Sequence, residues 1–258
     1  MAAENRLDLT LRLVRNAGRI SLTELTERLG VSAMTVRRDL DELQRQGLVR
    51  RVHGGAVSLA MPEEQSGFAA RERWQLAIKR RIGAVAIERI QPGQTVLLDA
   101  GTTTAAMASL LVAKAPLTVA VLSLQAAERL ADQPGIRLLV LGGESRPGER
   151  SLVGPLTLRM LEELWFDCFL MSIGAVHREL GWSEFSIEDG TVKQHGLRRA
   201  ARTIVVADGS KLGVRAFARV APLDAVDTFV TDSVVEGDDQ AEETLAAIRK
   251  AGVEVVLA

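Results

Sequence analysis

The chain has 258 residues, 47% of them hydrophobic, 25% charged and only 3% aromatic, with no Tyr. This composition excludes a disordered or low-complexity chain, the length suits one small and one medium-sized domain, and a core so poor in aromatics is built from Leu, Val, Ile and Ala, as parallel-sheet α/β domains are. The formal net charge of −1 hides an asymmetry: residues 1–60 carry ten Lys and Arg against seven Asp and Glu, and the rest 22 against 26, a mild pointer to nucleic acid at the front.

The first ten residues lack the apolar segment of a signal peptide. No apolar run reaches the roughly 18 residues that span a bilayer, so the cytoplasm is the expected location and no membrane partner is expected. A helix is predicted over 5–17, with Leu7, Leu11 and Val14 on one face and Gly18 as its stop. A second is predicted over 22–29, capped by Ser21, with Leu22, Leu25 and Leu29 at helical spacing. Gly30-Val31 makes a short turn, and Ser32 caps a third helix that runs to about Gly47. Helix, Gly-containing turn and capped helix form a helix-turn-helix.

In the third helix Val36, Leu40 and Leu43 form one narrow apolar stripe. Its exposed N-terminal half presents Ser32, Met34, Thr35, Arg37 and Arg38. Two guanidinium forks with small hydroxyls suit a DNA major groove; the alternative is a solvated face whose arginines pair with Asp39, Asp41 or Glu42. Next come two short β-type runs, 48–53 and 56–57, hinged on Gly54 and Gly55. This hairpin, or wing, carries Arg50, Arg51 and His53. Its glycines allow close approach to a phosphate, and its arginines supply charge that follows a DNA backbone; a plain surface hairpin is the alternative.

The stretch 31–40, VSAMTVRRDL, followed by LVRRVHGGA at 48–56, resembles the signature of the DeoR family of bacterial repressors, V-S-x-x-T-I/V-R-R-D-L and a wing ending R-x-H-G-G-A. The resemblance implies DNA-contact roles for Thr35, Arg37, Arg38 and the wing residues. Asp39 is expected to hold an arginine in place, because a carboxylate would face phosphates.

Residues 59–72 lose periodicity and contain Pro62 and Gly67, the mark of a connector between a winged helix-turn-helix over 1–58 and an α/β domain over 73–258. A helix is predicted from about 71 to 90. Strands are then predicted at 95–99, 117–122, 136–141, 167–173, 203–207, 227–231 and 253–257, with helices at 103–113, 124–131, 155–164, 189–201 and 239–251. Such alternation predicts a largely parallel sheet covered on both faces, with a ligand site beyond the carboxyl ends of the strands. Cys168, the only cysteine, lies in the apolar run 165–171 and reads as a buried thiol. The histidines, His53, His177 and His195, lack metal-ligand spacing, so neither a metal nor another cofactor is expected.

At the first strand end Asp99-Ala100-Gly101 leads into Thr102, Thr103 and Thr104 at a helix start. Outward-pointing N–H groups and three hydroxyls make a cradle for a phosphate or carboxylate; a capped helix with solvated threonines is the alternative. The loop lacks the lysine of a Walker loop and the glycines of a dinucleotide fingerprint. Asp208 and Lys211 stand at another strand end, where Lys211 is a mobile cation, and Gly142 and Gly143 at a third. These pieces resemble the C-terminal sensor domain of the DeoR family, a fold akin to ribose-5-phosphate isomerase and the CoA-transferase group. The resemblance implies that Gly101 to Thr104 bind the effector's phosphate while Asp99 and Lys211 contact the rest of it. Two departures stand out. Val121-Leu122-Ser123 replaces the family's T-N-S, which implies a less polar effector or partly lost sensing. The usual E-A-x-V segment reads Asp189-Gly190-Thr191-Val192, with Glu188 offered as its acid.

The expected function is sequence-specific DNA-binding regulation, a repressor of a carbohydrate or polyol operon controlled by a phosphorylated sugar or related anion. The expected partners are a double-stranded DNA operator, that metabolite, and further copies of the chain in a homodimer or homotetramer. The alternative is a sugar-phosphate isomerase-like enzyme with an appended DNA module, which would need a general base near the cradle.

Overall fold

Leu25 and Leu29 of one short helix and Val36, Leu40 and Leu43 of the next are all buried, so the apolar stripes of the sequence meet in one small core. The structure, a computed structural model, describes residues 3–17, 19–52, 54–58, 67–73, 75–232 and 239–258; His53 and residues 59–66 lie outside the described residues. The chain divides into two units near Arg71 and Glu72.

The first unit contains α1 (Ala3–Ala17), β1 (Arg19–Ser21), α2 (Leu22–Leu29), α3 (Ala33–Arg45), β2 (Val49–Val52) and β3 (Gly55–Ser58). Ser21 caps α2 by accepting from the Glu24 amide at 3.1 Å, and Gly30, with φ +62°, ends it. The left-handed backbone there is what turns the chain into α3. The sheet runs β1-β3-β2, all antiparallel, so the wing has a third strand that the sequence did not announce.

The second unit opens with the rest of α4 (Gly67–Arg73), then α5 (Leu76–Ile87). The connector expected over 59–72 is therefore helical from Gly67, and the helix expected over 71–90 is interrupted at Gln75, whose φ is +52°. There follow β4 (Thr95–Leu98), α6 (Thr102–Leu111), β5 (Leu117–Val121), α7 (Leu124–Leu130), β6 (Ile136–Val140), β7 (Glu144–Ser145), β8 (Leu152–Val153), α8 (Pro155–Glu162) and β9 (Cys168–Ser172). The remainder is β10 (Ala175–His177), β11 (Gly181–Glu184), α9 (Ile187–Arg198), β12 (Thr203–Val206), β13 (Ala218–Ala221), β14 (Thr228–Thr231), α10 (Asp239–Lys250) and β15 (Glu254–Leu257).

The seven predicted strands form one sheet in the order β15-β14-β12-β9-β4-β5-β6, parallel throughout. Alternate residues face opposite layers. Val96, Leu98, Val119 and Leu170 join Ile82, Met107 and Leu130 of α5, α6 and α7. Leu97, Ala120, Phe169 and Phe229 join Leu161, Val192 and Leu245 of α8, α9 and α10. Burial on both faces explains why the inner strands read as continuous apolar runs. A separate antiparallel sheet, β10-β11-β13, is anchored by Trp182, whose ring meets Phe229 edge-on at 5.3 Å and whose Nε1 donates to the Leu223 carbonyl. No described helix is long and apolar enough to cross a membrane.

From β4 the chain winds outward through β5 and β6, returns beside β4 as β9, and winds the other way through β12, β14 and β15. The direction reverses between β4 and β9. In open parallel sheets a crevice forms beyond the carboxyl ends of the strands at such a point.

Candidate functional site

Helix α3 begins at Ser32, whose Oγ accepts from the Thr35 amide at 3.3 Å and lies 3.0 Å from the Thr35 hydroxyl. Ser32 and Thr35 thus bond each other at the helix start. Burial of Val36, Leu40 and Leu43 turns Met34, Arg37 and Arg38 outward, and Met34 is 58% exposed. Among the described residues neither Arg37 nor Arg38 has a side-chain hydrogen bond or ion pair. Asp39 is buried, and its carboxylate accepts from Arg6 of α1 through Nε at 2.6 Å and Nη2 at 3.0 Å. The Asp39 carboxylate holds the Arg6 guanidinium charged above its ordinary pKa through that hydrogen bond, against the lowering effect of burial. Asp39 therefore does hold an arginine, and it is neither of its neighbours.

The wing separates residues that the sequence grouped. Arg50 is exposed and unengaged among the described residues. Arg51 pairs with Asp41, and its amide donates to Gln44 Oε1 at 2.7 Å, so it ties the wing to α3. Gly54 is exposed with φ +79° and makes the turn. Gly55 is buried: a Cβ there would lie 2.1 Å from the Ile20 carbonyl oxygen. Contact with β1 therefore requires a glycine there. His53 lies outside the described residues.

At the switch point Gly101, with φ +133°, is the N-cap of α6 and supplies no side-chain cap. The amides of Thr102, Thr103 and Thr104 have no partner within the helix, as in any first turn, and Thr102 and Thr103 carry hydroxyls there. Thr103 is also largely buried, and Thr104 is fully so, with its Oγ1 donating to the Gly101 carbonyl at 3.1 Å. Asp99 is also turned inward, 2% exposed, where it accepts from the Ala100 amide at 2.8 Å, the Ser172 amide at 3.0 Å and Lys193 Nζ. Burial pushes the Asp99 carboxyl upward against the pull of the Lys193 ammonium. Burial likewise works against the charge on Lys193, but Asp99 and Glu184 outweigh it and hold the ammonium above its ordinary range. Asp99, expected to contact an effector, is engaged by the protein's own groups and bonds the loop that leads into α6.

The other strand ends share the carboxyl edge but not the same place. Gly142 and Gly143 follow the edge strand β6 and are consumed by α8. The Gly142 carbonyl accepts from Thr157 Oγ1 at 2.5 Å, and a Cβ on Gly143 would lie 2.0 Å from that same oxygen. Asp208 is buried after β12, where it accepts from the Ser210 amide at 3.0 Å and caps the turn that carries Lys211. Lys211 is half-buried and engaged. Leu122, at the position of a polar family residue, lies in the core, and Ser123 caps α7. Cys168 is buried, with its thiol pushed up to about 11 by burial, far from the ionisation that nucleophilic attack needs.

Sequence reasoning missed Ser172, Glu184 and Lys193, and also Arg146 and Ser151, which both bond Asp189. Glu188, offered as the acid of that segment, is exposed and bonded to Ser186; Asp189 faces the edge instead. One signal was present: Gly190 and Gly196 bracket Lys193. A Cβ on Gly196 would lie 2.7 Å from the Phe169 ring, so α9 lies close against the sheet and draws the residue between the glycines inside.

The family model for the DeoR-like helix-turn-helix domain matches residues 6–61, and that for the DeoR C terminal sensor domain matches residues 74–233. The chain is 34% identical over 249 residues to the HTH-type transcriptional regulator GlpR of Haloferax volcanii, covering 95% of this chain and 94% of that one. It is 30% identical over 257 residues to the putative aga operon transcriptional repressor of Escherichia coli O157:H7, covering 99% and 93%. It is 30% identical over 223 residues to the glycerol-3-phosphate regulon repressor of Escherichia coli K12, covering 86% and 88%. The ribose 5-phosphate isomerase A structure of Methanocaldococcus jannaschii superposes at a TM-score of 0.39 and 18% identity over 53% of this chain and 54% of that one, a likeness that carries no functional inference. The full-length relatives decide between regulator and isomerase-like enzyme: this chain belongs to the DeoR family of DNA-binding transcriptional regulators and is not an enzyme.

Proposed function

We propose that the chain represses a carbohydrate or polyol operon and that a phosphorylated sugar or related anion, bound at the N-terminus of α6, alters its grip on DNA. The observation that carries the effector assignment is the Gly101-led start of α6 at the β4/β9 switch point, where N–H groups and the Thr102 and Thr103 hydroxyls gather without a side-chain cap. Relatives named for a glycerol-3-phosphate regulon and an aga operon support the ligand class. Lys211, at the carboxyl end of β12, contributes a second polar contact, while Asp99, Gly142, Gly143 and Asp208 shape the edge.

On the DNA side, Arg37, Arg38, Met34 and Thr35 of α3 read base edges, and Arg50 and Gly54 of the wing meet the backbone. The chain works as a homodimer or homotetramer, since paired reading helices match a two-fold operator. A ligand changes DNA affinity only if it prefers one conformer, so a thermal-shift screen against phosphorylated sugars and polyols is the first test. A concentration-dependent rise in Tm with at least one phosphorylated compound, and none with its dephosphorylated parent, is expected. A flat response to the whole panel contradicts the effector class.

A further inference from the structure

Helix α9 carries Asp189 and Lys193 four residues apart, on one side of the helix. Each grips a different part of the carboxyl edge. Lys193 bonds Asp99 and lies 3.3 Å from Glu184 Oε1, and the Lys193 and Asp99 side chains are only 3% and 2% exposed. Asp99 takes the amides on both sides of the switch point, Ala100 after β4 and Ser172 in β9. The Ser172 hydroxyl, 3.1 Å from Asp99 Oδ2 and 2.5 Å from the Ala100 carbonyl, fills the space a Cβ at position 101 would need. The buried ammonium therefore sets where the first turn of α6 begins.

Asp189 accepts from the Arg146 guanidinium and from Ser151 Oγ at 2.9 Å. Arg146 and Ser151 bound the turn of the β7–β8 hairpin, which is fastened to the end of β5 by the Leu152 amide on the Leu122 carbonyl at 2.8 Å. Lys193 and Asp99 are buried charges, and moving one strands the other in a low-dielectric site; Asp189 and Arg146 are only partly buried.

We infer that Lys193 and Asp189 are positioning residues of the effector site, with α9 as the strut that fixes the 99–101 turn through one and the β7–β8 hairpin through the other. The inference rests on the reading that α6 cradles an anion, and it adds that a ligand stiffening the turn also stiffens the hairpin, because both hang from one turn of helix.

The test is hydrogen exchange on the full chain, with and without inorganic phosphate, for wild type, Lys193→Arg, Lys193→Met/Asp99→Asn and Asp189→Asn. The double variant removes both members of the Lys193–Asp99 pair; Glu184 loses its ammonium partner and keeps the bond it accepts from the Gly174 amide. In the double variant, exchange over 99–104 is expected to rise by about tenfold or more while β15 at the sheet's far edge is unchanged; Lys193→Arg keeps most of the protection. Asp189→Asn is expected to free 144–153 and not 99–104. Phosphate is expected to slow both segments in wild type and only 99–104 in Asp189→Asn. Wild-type exchange over 99–104 in the folded double variant, or an equal rise in β15, overturns the inference. If the double variant does not fold, an unchanged hairpin in Asp189→Asn overturns it. Should phosphate protect nothing while the double variant still frees 99–104, the strut stands and the anion reading fails. Should phosphate protect 99–104 equally in wild type and double variant, the reverse holds.

Discussion

Arg6 in the first helix grips Asp39 in the third through two parallel N–H···O bonds, Nε to Oδ2 and Nη2 to Oδ1. A bidentate fork fixes angle as well as distance, so this pair sets how α3 is presented while the adjacent Arg37 and Arg38 stay outward. Asp39→Asn keeps the shape but loses the charge-assisted bonds. It is expected to lower the stability of the first unit by about 2 kcal/mol and to weaken DNA binding as well, measured by urea unfolding and by anisotropy on duplex DNA. Unchanged values for both contradict the role.

Arg37 and Arg38 make no such internal bonds among the described residues. Replacing either with Ala is expected to reduce binding to a selected duplex by roughly 1–3 kcal/mol with no change in Tm. The salt dependence discriminates between roles: loss of a phosphate contact lowers the slope of log K against log salt by about one, and loss of a base contact leaves it.

The parts of this architecture that are legible in the sequence are those with a pattern long enough to repeat. The inner strands of the parallel sheet are largely buried runs of four or five residues bounded by loops, and α3 shows its stripe over about two turns. The strands β1, β7, β8, β10, β11 and β13 are two to four residues long, too short for an alternation to register. Glycines mislead in a particular way. Gly55 and Gly143 do mark close approach, and the approaching groups in the structure are the protein's own, at Ile20 and Thr157. Lys193 escapes a reading of the sequence because a lone lysine in a helix ordinarily lies in water, and only its tertiary partners, 94 residues away at Asp99 for one, make it internal.

In the proposed effector cradle, Gly101 is the glycine whose side-chain-free state matters. Its φ of +133° and the Ser172 Oγ, 2.6 Å from where a Cβ would stand, both oppose any substitution. Gly101→Ala is expected to destabilise the second unit by about 1–3 kcal/mol and to abolish protection of 99–104 by phosphate. Retained protection contradicts the cradle.

Asp167 joins the starts of β4 and β9: it accepts from the Thr95 amide at 2.7 Å and the Thr95 hydroxyl at 2.8 Å, which hold its carboxyl below the usual range. A depressed folded-state pKa stabilises above the unfolded value and ceases to do so as pH falls through the folded one. Asp167→Asn is therefore expected to lower Tm by about 2–4 °C at pH 7, and the gap to wild type is expected to close as pH drops below about 4. A gap that stays constant with pH contradicts the assignment.

The most direct measurement is the affinity of the full chain for a duplex enriched by selection, with and without the phosphorylated compound that raises Tm, in wild type and Gly101→Ala. Wild type is expected to change affinity by at least about fivefold on adding the compound. Gly101→Ala is expected to bind the bare duplex like wild type and to show no change. An equal change in both proteins, or none in wild type, contradicts control of the DNA-reading helix through the start of α6.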